Sequence, residues 1–269
     1  MIAFATLTRI LGLGMLMAPF GAPAMAGKAA PWLPIIVYHQ IVSAGESPDS
    51  LEVISLQRFE AEMRYLHEKG YVTLSTGEIV DFVRGGKAPH AKIVAIHFDD
   101  GWKSAQLALP VLDRYGFKAT FWIIAGTGIG WPHMDWDEVQ AIARQPRYEV
   151  QSHTMTHPWK PNDTLVDWVE GRTPGKGEKE AQWELAESRR VLSQRLGRPI
   201  PHLAWPGGRY TERLIGFAEM SGYQALFTID DGVNRPGDDL LRLKRTPIHG
   251  GCNQRVFARM LRDGVSRDC

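Results

Sequence analysis

Cysteine is nearly absent from this chain, with only Cys252 and Cys269 among 269 residues. Two cysteines exclude a disulfide framework as the basis of the fold, although a Cys252–Cys269 bridge is compatible with an oxidising compartment. Charge of one sign is also lacking. The formal net charge is +1, which leaves no basic footprint for nucleic acid and no polybasic arm for a membrane surface. Long apolar runs are missing outside the first residues, and the run there, "LGLGMLMAPF" at 11–20, is short of the ~20 residues that span a bilayer. No internal repeat and no dividing linker appear.

The first 26 residues nevertheless differ from the rest. An apolar stretch follows Arg9, and small residues precede and end Ala24-Met25-Ala26. That arrangement predicts a secretory signal cleaved after Ala26. No cysteine follows the apolar stretch, so a lipid anchor through cysteine is not supported. The expected product is a secreted or periplasmic domain over 27–269, without a stable membrane anchor and with no export partner identifiable from the sequence.

Within that domain, apolar runs alternate with amphipathic stretches. "PIIVYH" (34–39), "YVTLS", "KIVAIHF" (92–98), "KATFWII" (118–124), "YEVQSH" (148–153), "HLAWP", "YQALFTI" and "LLRLKRTPI" predict strands. "LQRFEAEMRYLHEKG" carries Leu56, Phe59, Met63 and Leu66 on one face. "STGEIVDFVRGG" opens on the capping-box pair Ser75 and Glu78. "SAQLALPVLDRYG" predicts one helix with Pro110 inside it, and "PWKPNDTLVDWVEGRTPGKGEK" (158–179) a loop or insertion. "WDEVQAIAR", "EAQWELAESRRVLSQRLG", "TERLIGFAEMSG" and "NQRVFARMLRDG" complete the helices. About eight strands alternating with helices imply parallel βαβ units, as an open doubly wound sheet or a closed barrel. In either, ligands gather at the C-terminal ends of the strands.

Chemically loaded residues stand at those ends. His39 follows "PIIVY", Asp99 and Asp100 follow "KIVAIHF", and His153 follows "YEVQS". Asp-Gly at 100–101 is by itself a turn dipeptide. His153 and His157, four apart, could be polar surface residues, but their place at a strand end favours both reaching one cation from a helical turn or a tight loop ending at Pro158. Two histidines and one carboxylate form an open metal site of the catalytic kind. Asp99 and Asp100 supply two carboxylates, one to coordinate and one to act as base.

Read together, "HFDDG" (97–101), "SHTMTHP" (152–158) and "AWPGG" (204–208) resemble the three leading motifs of the polysaccharide deacetylases, the NodB-homology group of carbohydrate esterase family 4. Supporting context runs from about residue 34 to 250. The resemblance implies an α/β fold, a distorted (β/α) barrel of seven to eight strands. It also implies metal-dependent removal of N-acetyl groups from amino sugars, with a divalent metal, zinc first and cobalt or nickel as alternatives. Asp100, His153 and His157 correspond to the metal ligands, Asp99 to the general base, and Gly207 to the position whose backbone N–H faces the oxyanion. Three departures stand out: His97 for threonine, Ala204 for the arginine that partners the base, and Gly207 for tyrosine.

The family's acid histidine normally ends an apolar strand late in the chain. "PIIVYHQI" has that form at the N-terminus, which resembles the permuted order of the poly-β-1,6-N-acetylglucosamine N-deacetylases of PgaB and IcaB type. The resemblance thus assigns His39 as general acid, with His249 in "TPIHGG" as its rival and Asp230 or Asp231 as candidates to orient the acid. The expected partner is an N-acetylated amino-sugar polymer, poly-β-1,6-N-acetylglucosamine ahead of peptidoglycan or chitin oligomers. Trp102, Trp131, Trp136, Trp159 and Trp205 lie near the motifs, as groove walls or as core. The competing functional classes are an inactive polysaccharide-binding relative and an amidase acting on a small cyclic amide.

Overall fold

Valine, isoleucine and aromatic residues fill the strand-forming runs on both faces, as strands covered on two sides require. The computed structural model describes residues 1, 31–43 and 52–265. The predicted signal and Cys269 lie outside the described residues. Pro31–Cys269 forms one compact unit.

Eight strands make the main sheet: β1 (Ile35–Tyr38), β2 (Val72–Thr73), β3 (Ile93–Phe98), β4 (Ala119–Ile123), β5 (Tyr148–Ser152), β6 (His202–Ala204), β7 (Ala225–Phe227) and β8 (Thr246–Pro247). Their order is β7-β6-β5-β4-β3-β1-β8, with β2 against the start of β3. Every pairing in this sheet is parallel. Beyond β7, Phe227 bridges Leu243 in parallel, and Leu243 lies three residues before β8. The two edges of the sheet therefore approach each other through one short segment, which curls the sheet into a distorted barrel.

Period-two alternation divides the core. Ile36 and Tyr38 of β1, Val94, Ile96 and Phe98 of β3, and Phe121 and Ile123 of β4 face one cluster with the covering helices. Ile35, Ala95, Trp122, Ala204 and Phe227 belong to the other, inside the curl. The helices are α1 (Leu56–Glu68), α2 (Thr76–Val83), α3 (Leu109–Tyr115), α4 (Trp136–Ala143), α5 (Leu165–Val169), α6 (Glu178–Leu196), α7 (Glu212–Met220) and α8 (Gln254–Asp263). α1 buries Phe59, Met63 and Leu66, spaced for one face. α2 carries the Ser75–Glu78 capping box and sends Ile79, Val80, Phe82 and Val83 into the interior cluster. None of the described helices is long and apolar enough to cross a membrane.

Three local expectations are corrected. The Pro110 stretch is a 3-10 segment, Lys103–Ala108, followed by α3, with Pro110 in the first turn of α3. Proline there gives up no hydrogen bond, whereas in mid-helix it would lose one. The 158–179 stretch holds a small antiparallel hairpin, Trp159–Lys160 with Asp163–Thr164, and then α5 behind a Thr164–Asp167 capping box. "LLRLKRTPI" begins as a 3-10 turn at Leu240–Arg242, because Asp239 caps Leu241, and only its end joins the sheet.

Candidate active site

β3 and β5 end on the same side of the sheet, and their last residues feed a cavity of about 460 Å3. Asp99, Asp100, His153 and His157 line it, together with His39, Gly207 and His249. All six sequence-predicted site residues therefore meet in one place.

The Asp-Gly turn and the carboxylate pair are a single device. Asp100 and Gly101 both take left-handed backbone, at φ 69° and 72°, which turns the chain sharply off β3. Left-handed φ is rare for a side chain larger than glycine, and such strain concentrates at functional sites. His157 shares it, at φ 54°.

Asp100 divides its oxygens between two tasks. Oδ2 accepts a hydrogen bond from the Trp102 indole N–H at 3.0 Å. Oδ1 lies 3.3 Å from Nε2 of both His153 and His157 and is otherwise a buried acceptor with no hydrogen bond. His153 Nδ1 is 2.8 Å from the Ala204 carbonyl. That carbonyl can only accept, so Nδ1 carries the proton and Nε2 presents its lone pair toward Asp100. One carboxylate oxygen and two imidazole nitrogens converging in this way suit a divalent cation.

The electrostatics point the same way. Burial alone would raise the Asp100 carboxyl, but His153 and His157 hold it far below the ordinary range. Burial pushes His153 down, and the charges of Asp99 and Asp100 more than reverse that. His157 stays at about 4, through burial first and then repulsion from His153. The carboxylates thus attract positive charge to the point where the two imidazoles meet.

Asp99 has a different environment. Its side chain is 4% exposed, and Arg245, fully buried, grips it with two hydrogen bonds of 2.8 and 2.9 Å. Against the cost of burial, Arg245 keeps the Asp99 carboxyl ionised below its usual pKa. With Ala204 at the motif's arginine position, Asp99 therefore still has a cationic partner, supplied from the segment just before β8. Sequence reasoning missed Arg245. In the fold Lys244 is half-buried and Arg245 fully buried within one extended stretch, a difference that two adjacent basic residues do not reveal in sequence.

His39 and His249 enter from adjacent strands. β1 and β8 pair Val37 with Pro247, and each histidine stands two residues beyond its paired position. The charge of His39 contributes at Asp99, Asp100 and His157 alike. Asp230 accepts from the Tyr210 hydroxyl at 2.7 Å, and Asp231 is exposed. Gly207 has left-handed φ of 57°, and a β-carbon there would meet nothing within 4 Å, so the missing tyrosine leaves open space rather than a collapsed wall. Of the tryptophans, Trp102, Trp159 and Trp205 line the cavity. Trp136 instead lies beneath Arg195 at 5.1 Å.

Comparison with known proteins agrees with this geometry. Residues 86–226 match the polysaccharide deacetylase family profile. A Bacillus subtilis (strain 168) protein named "Putative polysaccharide deacetylase YxkH" is 33% identical over 84% of this chain and 74% of its own. The poly-β-1,6-N-acetyl-D-glucosamine N-deacetylase of Escherichia coli (strain K12) is 23% identical over 64% of this chain, and the match spans 30% of that protein. Among solved structures, IcaB from Ammonifex degensii superposes with a TM-score of 0.74 at 24% identity, covering 87% of this chain and 97% of that one. The Streptococcus pyogenes deacetylase PplD, solved in complex with acetate, gives 0.73 at 22% identity over 87% and 98%. The chain belongs to the polysaccharide deacetylase family, metal-dependent hydrolases of amides with the NodB-type distorted barrel.

Proposed function

We propose that this chain is an exported N-deacetylase of an amino-sugar polymer, with poly-β-1,6-N-acetylglucosamine its first candidate substrate. The observation that carries the reading is the pairing of a buried, ionised Asp99 with the Asp100–His153–His157 cluster in one cavity. A module that only binds sugar has no use for that base. The named activity of the Escherichia coli relative supports the choice of polymer.

Asp100, His153 and His157 would hold the cation, zinc ahead of cobalt or nickel, which when bound polarises the acetyl carbonyl and acidifies the attacking water. Asp99 takes the proton from that water as the new C–O bond forms. Arg245 keeps Asp99 ionised and fixed in orientation. The Gly207 N–H donates to the oxygen that gains charge. His39 delivers a proton to the sugar nitrogen as the C–N bond breaks, and acetate and the free amine leave.

The rim favours a polymer over a small cyclic amide. Trp159 is 53% exposed at the cavity edge and Trp131 is 87% exposed. Trp131 lies between the lining residues Gly128 and His133, on a loop pinned by Lys103 N–H to the Pro132 carbonyl and by Met134 N–H to that of Gly101. Large indole faces held open to solvent offer platforms for successive sugar rings.

The decisive experiment measures acetate release from N-acetylglucosamine oligomers with zinc, cobalt or nickel, beside an Asp99→Asn variant. Release by the wild type, lost in the variant without loss of bound metal, supports the reading. Binding without release supports the sugar-binding alternative, and rates indifferent to oligomer length support the small-amide one. Export is checked by N-terminal sequencing of the mature protein, expected to begin at Gly27.

A further inference from the structure

Glu184 occupies a position meant for an apolar side chain. The buried stripe of α6 is Ala181, Glu184, Leu185, Ser188 and Leu192, spaced as one helical face, and Glu184 is 1% exposed. A carboxylate in such a place must be compensated by donors. Its donors come from the turn between the two histidines. Oε2 accepts from the backbone N–H of Met155 at 2.9 Å and of Thr156 at 2.8 Å, and Oε1 accepts from the Thr156 hydroxyl.

That turn carries strained backbone. Thr154 and His157 both have left-handed φ, 67° and 54°. The turn's carbonyls are claimed from the other side: Thr154 O by Ala125 N–H and Met155 O by Gly126 and Thr127 N–H. The His157 N–H reaches the Thr154 hydroxyl at 3.2 Å. Glu184 thus closes the account of the turn's donors while β4's exit accounts for its acceptors. What this fixes is the direction of His157 relative to His153, so that both Nε2 atoms stand 3.3 Å from the same Asp100 oxygen.

We propose that Glu184 is a positioning residue for the cation site, acting through the 154–157 turn and touching neither cation nor substrate. The inference rests on the reading of Asp100, His153 and His157 as metal ligands. Outer partners that orient a ligand typically govern affinity by ~10–100-fold.

The test titrates purified protein with Zn2+ and records the visible absorption of the Co2+ form, alongside metal-free thermal melts. Glu184→Leu is expected to weaken Zn2+ binding by ~10–100-fold and to alter the Co2+ spectrum. Glu184→Gln, whose carbonyl still accepts the two backbone N–H groups, restores both to near wild type. Glu184→Asp withdraws the carboxylate by one methylene and is expected to weaken binding even where the fold is intact, so it decides the matter if the leucine variant does not fold. Wild-type affinity and spectrum in Glu184→Asp and Glu184→Leu, or a fall in melting temperature alone, would overturn the proposal while leaving the metal site standing. Loss of binding in His157→Ala checks the site separately. A wild type that binds neither Zn2+ nor Co2+ sinks both.

Discussion

At the scale of single residues, the site is a set of strained and buried groups that hold one another in place. Arg245 and Asp99 are the strongest instance. Replacing Arg245 by Met strands a buried carboxylate, an expected loss of about 3–5 kcal/mol by urea unfolding. In any folded fraction the Asp99 pKa rises, so the acid limb of the kcat/KM profile moves to higher pH. Arg245→Lys keeps the charge without the two-pronged grip and should fall between the two. Left-handed backbone at His157 gives a second prediction. His157→Gly and His157→Ala both remove the ligand, yet the glycine variant should be more stable by about 1 kcal/mol in chemical denaturation, because alanine keeps the steric penalty of that φ. The convergence of Asp100, His153 and His157 was legible in the sequence, since Asp100 and His153 stand just past strand runs and His157 is four residues from His153. Arg245 was not. Its partner is 146 residues away, and motif matching directs attention to Ala204, where the family keeps its arginine. Glu184 escaped for a similar reason, as a charged residue in a helical stripe reads as surface until its face is known.

Elements were legible where one period ran uninterrupted. β3, β4, α1 and α6 fall within a residue or two of their expected limits, because long alternating or helical patterns leave little choice. The errors came where a cap or a proline divides a run, as at Pro110 and Asp239. Packing of α1 on β1 carries its own titration. Glu62 on α1 is 1% exposed, accepts from the Tyr38 hydroxyl at 2.7 Å and pairs with Arg58. Burial raises its pKa from 4.5 to about 6. The folded state therefore holds this proton more tightly than the unfolded one. The resulting stabilisation, about 2 kcal/mol, is complete below pH ~4.5 and lost as pH rises through ~6. Denaturation at a series of pH values should show a shallower slope over that window for Glu62→Gln. The register of β1 with β8 supports another comparison. His39→Ala should lower kcat far more than His249→Ala, by ~10²–10⁴-fold for a general acid, and a reversed ranking would exchange their roles.

For the molecule as a whole, fold class was readable from alternation alone, whereas closure was not. The contact that brings the sheet's edges together is the short bridge of Phe227 with Leu243, a pairing between distant segments that alternation within either one does not foretell. Cation binding should stabilise this closed form. At a Zn2+ concentration of ~100 Kd the gain is about 2.7 kcal/mol, so chelation should lower Tm by roughly 5–11 °C. Removing the rim indoles acts on substrate length instead. Trp131→Ala and Trp159→Ala should raise KM on the order of tenfold for long oligomers and leave short ones nearly unchanged.

The distance along the chain between Asp99 and Arg245 also sets an order of events during synthesis. A ribosome making ~5–20 residues per second produces the acid roughly 7–30 s before the guanidinium that neutralises it, 146 residues later. Throughout that interval, closing the barrel around Asp99 would bury a negative charge without its partner, so the pair can form only as the last strand is added.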